Sequence, residues 1–261
     1  MVLKITMLGS GNVATHLSFA LISGGHKIKE VYSRNVENAR ELAQNCDAIP
    51  IDDISKLNNN SDLYIIAISD KAIGNLISKA DFTNKRVVHT AGSVSLNIFP
   101  KSIENFGVFY PFQTFSKKRE VQFSDVPICI EANTTDFEDF LLALAKQLSN
   151  RVLKLDSEQR KYLHLSGVFA CNFVNHLYYI AGNILAKNNV DGSLLTSLIR
   201  ETSDKIKELA PFDAQTGPAV RNDKESIKKH LDLLSSSPEY QQIYKLLSND
   251  IYNAHNSLNE L

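Results

Sequence analysis

Ile5-Thr6-Met7-Leu8-Gly9-Ser10-Gly11-Asn12-Val13-Ala14 decides how this chain folds. The residues before Gly9 read as a buried strand, and apolar residues recur at helical spacing from Val13 to Ser23. A strand that turns over two glycines into a helix opens a βαβ unit. In the form G-x-G-x-x-A, Gly9 permits the tight turn. Gly11 lets the backbone approach a bound group, and Ala14 lets the helix pack closely on the strand. The helix N-terminus then offers unpaired N–H groups to an anion such as a dinucleotide pyrophosphate. Gly9, Ser10, Gly11, Asn12, Val13 and Ala14 are therefore candidate cofactor contacts. The alternative is a glycine turn with no ligand.

The next strand run, 28–32, selects the cofactor. Sites that prefer NAD usually end this strand in Asp or Glu, which binds the ribose 2′-hydroxyl. Here the run ends in Ser33-Arg34-Asn35, and Glu30 lies too early to replace the missing acid. Ser33 and Asn35 can donate hydrogen bonds, and Arg34 can pair with a 2′-phosphate and stack on adenine. The expected cofactor is NADP, although Arg34 also reads as an ordinary solvated charge. The run 62–68 leads through Ser69 and Asp70 into another helix. Both sit where ligands lie, beyond the carboxyl end of a strand. The main role read for Asp70 is helix cap.

Working outward, β-rich runs stand at 3–8, 28–32, 62–68, 86–90, 106–109, 127–131 and 151–155. Helical patterns at 13–23, 36–45 and 136–148 fall among them. Such alternation predicts an α/β fold with a doubly wound, mostly parallel sheet. After residue 156 the pattern turns all-helical. A long helix is expected from 157 to about 187, and a second from Asp191-Gly192-Ser193 to just before Pro211. A loop carries Gly217 and Pro218, and two more helices cover about 223–235 and 238–257. The polar run 58–61 reads as a turn. Two domains are expected: residues 1–156 for the dinucleotide, and 157–261 for substrate and dimerisation.

The balance of charges removes several function classes. The 261 residues carry 28 Lys and Arg against 29 Asp and Glu, a net charge of −1. A nucleic-acid binder would show a basic excess. The longest apolar runs, such as 63–68, fall far short of the roughly 18–20 residues that span a bilayer. No secretory signal is expected, because the chain runs straight into a strand pattern. Cys46, Cys129 and Cys171 form no CxxC pair or disulfide framework. A cytoplasmic location is expected, with no nucleic-acid, membrane or metal partner.

Three segments read as chemical. They are His89-Thr90-Ala91-Gly92-Ser93, the aromatic stretch from Phe109 to Phe115, and the helix that begins at Ser157. On a wheel of about 100° per residue, His164, Asn172 and Asn175 fall within about 60° of Lys161. They form a polar stripe on a helix otherwise mostly apolar and so expected to be buried. Buried polar groups need partners, and a lined cleft supplies them. The alternative is a structural network across an interface, with Lys161 a solvated charge. His164 is the candidate proton donor, because imidazole titrates near neutral pH. Asn172 and Ser93 are the candidates for orienting a substrate. The loop 215–223 offers Thr216 and Arg221 as further donors for an anion or a partner subunit, or is only a turn.

The order G-x-G-N-V-A, Ser-Arg-Asn, His-Thr-Ala-Gly-Ser, Tyr-Pro-Phe-Gln-Thr-Phe and Thr-Gly-Pro-Ala-x-Arg resembles one family over nearly the whole chain. Its members are Rossmann-like NADP oxidoreductases with a C-terminal helical domain of unknown function, often labelled deazaflavin-dependent. The N-terminal half also resembles pyrroline-5-carboxylate reductase and the beta-hydroxyacid dehydrogenases. The resemblance implies two domains, NADP and a homodimer built through the helical domain, and it implies no substrate. Lys161 and Asn172 are too far apart to match the Lys-x-x-x-Asn arrangement of the hydroxyacid dehydrogenases. The expected function is hydride transfer between NADP(H) and a small carbonyl or imine compound. The competing reading is a non-catalytic NADP-binding sensor or assembly protein, and the N-terminal motif serves both.

Overall fold

The computed structural model describes residues 1–58 and 60–256. Asn59 of the polar run, Ser257 of the expected last helix and the tail to Leu261 lie outside the described residues. The chain forms two compact units, Met1–Asn172 and Phe173–Leu261.

The first unit is built on eight strands: β1 (Lys4–Leu8), β2 (Lys27–Tyr32), β3 (Ile49–Ile51), β4 (Leu63–Ile66), β5 (Arg86–His89), β6 (Asn105–Pro111), β7 (Ile128–Ala132) and β8 (Val152–Lys154). Their order in the sheet is β3-β2-β1-β4-β5-β6-β7-β8. Every pair is parallel except β6 with β7. The first six follow the Rossmann order, so the expected fold class holds. All seven expected runs are strands. The eighth, β3, was not read: it has three residues, includes Pro50 and pairs on one side only, as edge strands with proline do.

Period-two side-chain alternation buries both faces. In β1, Ile5 and Met7 join one core cluster, whereas Leu8 joins the other. In β4, Leu63 and Ile65 go with the first, and Tyr64 and Ile66 with the second. This two-sided burial is why the central strands read as nearly continuous apolar runs. Helices α1 (Asn12–Ser23), α2 (Val36–Cys46) and α4 (Thr135–Leu148) cover the first face through Leu17, Leu21, Leu42 and Leu144. Helix α3 (Asp70–Lys79) covers the second through Ile73, Leu76 and Ile77.

Helix α5 (Ser157–Gly167) starts at a capping box, in which Asp156 and Gln159 satisfy each other's backbone N–H groups. A π-helical turn, Val168–Phe173, follows, then α6 (Val174–Lys187). The first unit extends past residue 156 because α5 is fastened to the sheet. Arg160 has no exposed surface. Its guanidinium pairs with Glu131 of β7 and donates to the Val94 carbonyl. Ser157 donates to the same carboxylate at 2.9 Å and accepts from the Leu96 N–H, also at 2.9 Å. Two expectations for this helix need correction. A uniform wheel fails beyond Gly167, because a π turn advances less per residue. Nor is the helix buried within one chain: Tyr162 is 70% exposed and Leu165 51%.

The second unit continues with α7 (Leu195–Lys205), α8 (Pro211–Ala214), α9 (Lys224–Leu233) and α10 (Pro238–Asn256). No strand occurs in it among the described residues. The expected helix opens as a 3₁₀ turn, Gly192–Leu194, capped by Asp191, runs on into α7 and ends at Lys205, before Pro211. Polar ties join its helices. The Asn183 amide donates to the Tyr240 hydroxyl at 3.2 Å, and His255 stacks on Phe212 with ring centres 4.1 Å apart. No helix among the described residues is long and apolar enough to cross a membrane.

Candidate active site

A cleft of about 620 Å³ opens at the carboxyl ends of β1, β2, β4 and β5. This is the switch point of the sheet, where α1 and α3 leave on opposite faces. Gly9, Ser10, Gly11, Asn12 and Val13 form its floor. Gly9 has φ +137°, and a Cβ there would lie 2.1 Å from the Ala67 carbonyl oxygen. Only glycine fits where β1 passes the end of β4. A Cβ on Gly11 would meet nothing within 4 Å, so that side of the loop faces open space. No side chain caps α1, and its first turn carries no acid. Its N–H groups are thus unclaimed by side chains, and the site fits a pyrophosphate. Ala14 is fully buried against the sheet and packs rather than lines the cleft.

The end of β2 places Ser33 and Arg34 on the cleft wall. Arg34 is exposed and makes no ion pair among the described residues. Asn35 does not line the cleft; it caps α2, accepting from the Glu37 N–H at 3.0 Å. Glu30 is buried and accepts from Thr6 Oγ1 at 3.2 Å and the Asn58 N–H at 3.1 Å. No carboxylate therefore comes from β2 to oppose a 2′-phosphate. Ser69 and Asp70 both line the cleft. The expected cap is corrected here. Ser69 occupies the cap position, and Asp70 stands in the first turn of α3, where the helix dipole favours an acid. Its carboxylate accepts from Ser93 Oγ. Ser93 is exposed and does not itself line the cleft.

The inner wall is made by Thr90, Ala91, Gly92, Tyr110 and His164. Tyr110 Oη lies 3.0 Å from His164 Nδ1, and the two rings meet edge to face. Gly92 makes room for them: a Cβ there would sit 2.6 Å from Nδ1 and 2.8 Å from Oη. Burial pushes the Tyr110 phenol up to about 12, so it stays protonated at neutral pH. Beyond the pair, a groove of about 340 Å³ runs along Phe112 and the π turn to Asn172. Phe112 packs so closely on α5 that a Cβ on Gly167 would lie 2.7 Å from its ring.

His164 and Asn172 of the expected stripe line this groove together. Lys161 does not; it pairs with Glu158 at 2.6 Å on the exposed face. Asn175, Thr216 and Arg221 are exposed residues of the second unit. His89 is buried and stacks on Phe99; burial and then the Arg160 charge hold its imidazole down to about 3. Sequence reasoning flagged the stretch from Phe109 to Phe115 without choosing Tyr110 from it. The signal was there: Tyr110 stands next to last in β6, at the carboxyl end of the strand. Gln113 of the same stretch also lines the cleft, as do Asn75 and Lys79, which carried no motif.

Two family descriptions match the sequence. Residues 4–92 match an NADP oxidoreductase, coenzyme F420-dependent, and residues 126–251 match a domain of unknown function, DUF2520. A Bacteroides fragilis protein of known structure, classed as an NADP oxidoreductase, is 44% identical, with 97% of this chain and 98% of that one aligned at TM-score 0.91. The chain belongs to this NADP oxidoreductase family. NADP is the cofactor of this family. More distant structures share the fold. Pyrroline-5-carboxylate reductase from Streptococcus pyogenes is 11% identical, covering 97% of this chain and 99% of its own, at TM-score 0.64. A reductive aminase from Aspergillus terreus, solved with cyclohexanone and allyl amine, is 14% identical over 98% of this chain and 95% of its own, at TM-score 0.71. The comparison with curated proteins gives no match.

Proposed function

We propose that this NADP-dependent oxidoreductase reduces a small carbonyl or imine compound, with His164 as the proton donor. The observation that carries the reading is the Tyr110–His164 hydrogen bond, 3.0 Å long, in the wall of the cleft that begins at the glycine loop. NADPH, when bound, supplies a hydride to the electrophilic carbon. The protein has to hold the acceptor and deliver one proton to its oxygen or nitrogen. In its protonated form His164 donates its Nδ1 proton to the Tyr110 oxygen and its Nε2 proton to the acceptor, and is left as a neutral imidazole. Asn172 is the candidate for orienting the acceptor. Ser93 acts one step removed, by fixing the Asp70 carboxylate at the cleft edge.

Cofactor binding is read residue by residue. Backbone N–H groups from Gly11 to Ala14 hold the pyrophosphate, with Gly9 and Ser10 shaping the turn. Ser33 and Arg34 hold the 2′-phosphate. Asn35, which caps α2 and does not line the cleft, is left out of this set. Ser69 and Asp70 border the nicotinamide half. The domain reading assigns 1–156 to NADP and 157–261 to substrate and to a homodimer. Exposed Leu194, Leu198 and Leu233, each more than 60% accessible, support a partner copy on the second unit. A cytoplasmic location is supported by three free cysteines.

Screening small ketones, aldehydes and imines for NADPH oxidation tests the reading. Substituting His164 by Gln should leave NADPH affinity nearly unchanged and slow turnover by roughly 100- to 10,000-fold. A His164→Gln protein of full activity per folded molecule would remove His164 from the mechanism.

A further inference from the structure

Two of the cavities of the first unit meet at three side chains. Tyr110, Gln113 and His164 line both the dinucleotide cleft and the groove beyond it. All three bear polar hydrogen-bonding groups. The remaining groove wall changes character. Phe112 of the aromatic stretch and Val168, Ala170 and Cys171 of the π turn make most of it apolar, with Thr114 and Asn172 its uncharged polar members. No Lys, Arg, Asp or Glu lines it among the described residues. Its volume of about 340 Å³ lies at the small end of ligand pockets. The π turn is what presents this wall. A strict α-helix from Ser157 would carry the residues after Gly167 round at a different rate, and π turns recur at functional sites.

We infer that the groove is the substrate subsite, and that the substrate is an uncharged carbonyl or imine compound bearing an apolar arm. The inference rests on the oxidoreductase reading and adds the substrate class to it. The reacting group sits at the polar junction, within reach of His164. The arm lies along Phe112, Val168 and Ala170, away from the dinucleotide. An acid substrate would bring a carboxylate onto a wall with no cation to pair with it, and burying an unpaired charge is costly. For a ketone the balance is simple. One hydride reaches the carbonyl carbon, one proton from His164 reaches the oxygen, and NADP⁺ and an alcohol leave.

The test uses full-length protein, NADPH and the methyl ketones from acetone to 2-octanone, with 5-oxohexanoate as the acidic counterpart. Each buried methylene should lower KM about fourfold until the groove is full. The acid should be turned over poorly at every concentration. Ala170 is exposed and tolerates change. Ala170→Phe, which fills the groove, and Ala170→Asp, which puts a charge on its wall, should both flatten the chain-length dependence. NADPH affinity should stay within twofold in each. Turnover without chain-length dependence, or a preference for the acid, overturns the inference while keeping the oxidoreductase reading. If no compound is reduced, the ketones are tested for binding to the NADP⁺ complex by saturation-transfer NMR. Binding that grows with chain length and is lost in Ala170→Phe supports the subsite and sinks the reductase reading. Absence of both turnover and binding overturns the subsite.

Discussion

At the scale of single residues, Arg34 and the Tyr110–His164 pair carry the firmest forecasts. Arg34 stands on the cleft wall with no ion-pair partner among the described residues, while Glu30 turns into the core. Charge-assisted hydrogen bonds to a phosphate are worth roughly 1.5–3 kcal/mol, about 10- to 100-fold in affinity. Arg34→Ala should therefore remove most of the preference for NADP(H) over NAD(H). Calorimetry that finds both cofactors bound equally by the unaltered protein would overturn this assignment. Tyr110 acts through His164, so its loss should not add to the loss of His164. Tyr110→Phe should lower kcat/KM about 2- to 10-fold, the worth of one neutral hydrogen bond. The Tyr110→Phe/His164→Gln double variant should be no slower than His164→Gln alone. Additive losses in that cycle would show that Tyr110 has a separate role.

At the scale of elements, α5 is held by one buried ion pair, and the segment after β5 by one buried histidine. Glu131→Ala would leave the Arg160 guanidinium buried with no counter-charge, which costs about 3–5 kcal/mol. Urea unfolding should show that loss, and Glu131→Leu combined with Arg160→Met should recover much of it. His89 sets a pH dependence. Its folded imidazole titrates at about 3 against an ordinary value of 6.5. Between those values the unfolded chain holds the extra proton, so stability falls as pH falls from about 6.5 toward 3. From pH 7 to pH 5 the loss is about 2 kcal/mol, and His89→Gln should lack that part of it. Unfolding midpoints that shift equally in both proteins would remove His89 from the acid response. These elements also mark where the sequence was readable. Strands β1, β4 and β5 and the glycine loop show themselves by apolar period and punctuation. The π turn does not, because its residues keep the apolar composition of an ordinary helix. Tyr110 was one aromatic among several until the pairing of β6 with β5 brought it beside Gly92. Asn35 caps α2 and does not line the cleft, and Asp70 stands in the first turn of α3 after Ser69, positions that the strand ends alone did not fix.

At the scale of the molecule, the exposed leucines of the second unit predict association. Light scattering at micromolar concentration should give twice the mass of one chain. Leu198→Glu should shift it toward monomer, and a native protein found only as monomer would count against the homodimer. The order of the sheet has a consequence during synthesis. Strand β1 lies between β2 and β4, so its second edge finds no partner until Leu63–Ile66 has been made. A nascent chain that has released only the glycine loop and β2 carries bare strand edges on both sides, that of β1 apolar on both faces, and such edges recruit other chains. The dinucleotide floor, though encoded first, gains its wall at Ala67 only after β4 has docked. A force-sensing nascent-chain experiment should detect no folding step before β4 clears the ribosome. Cofactor added at an earlier length should have nothing to bind.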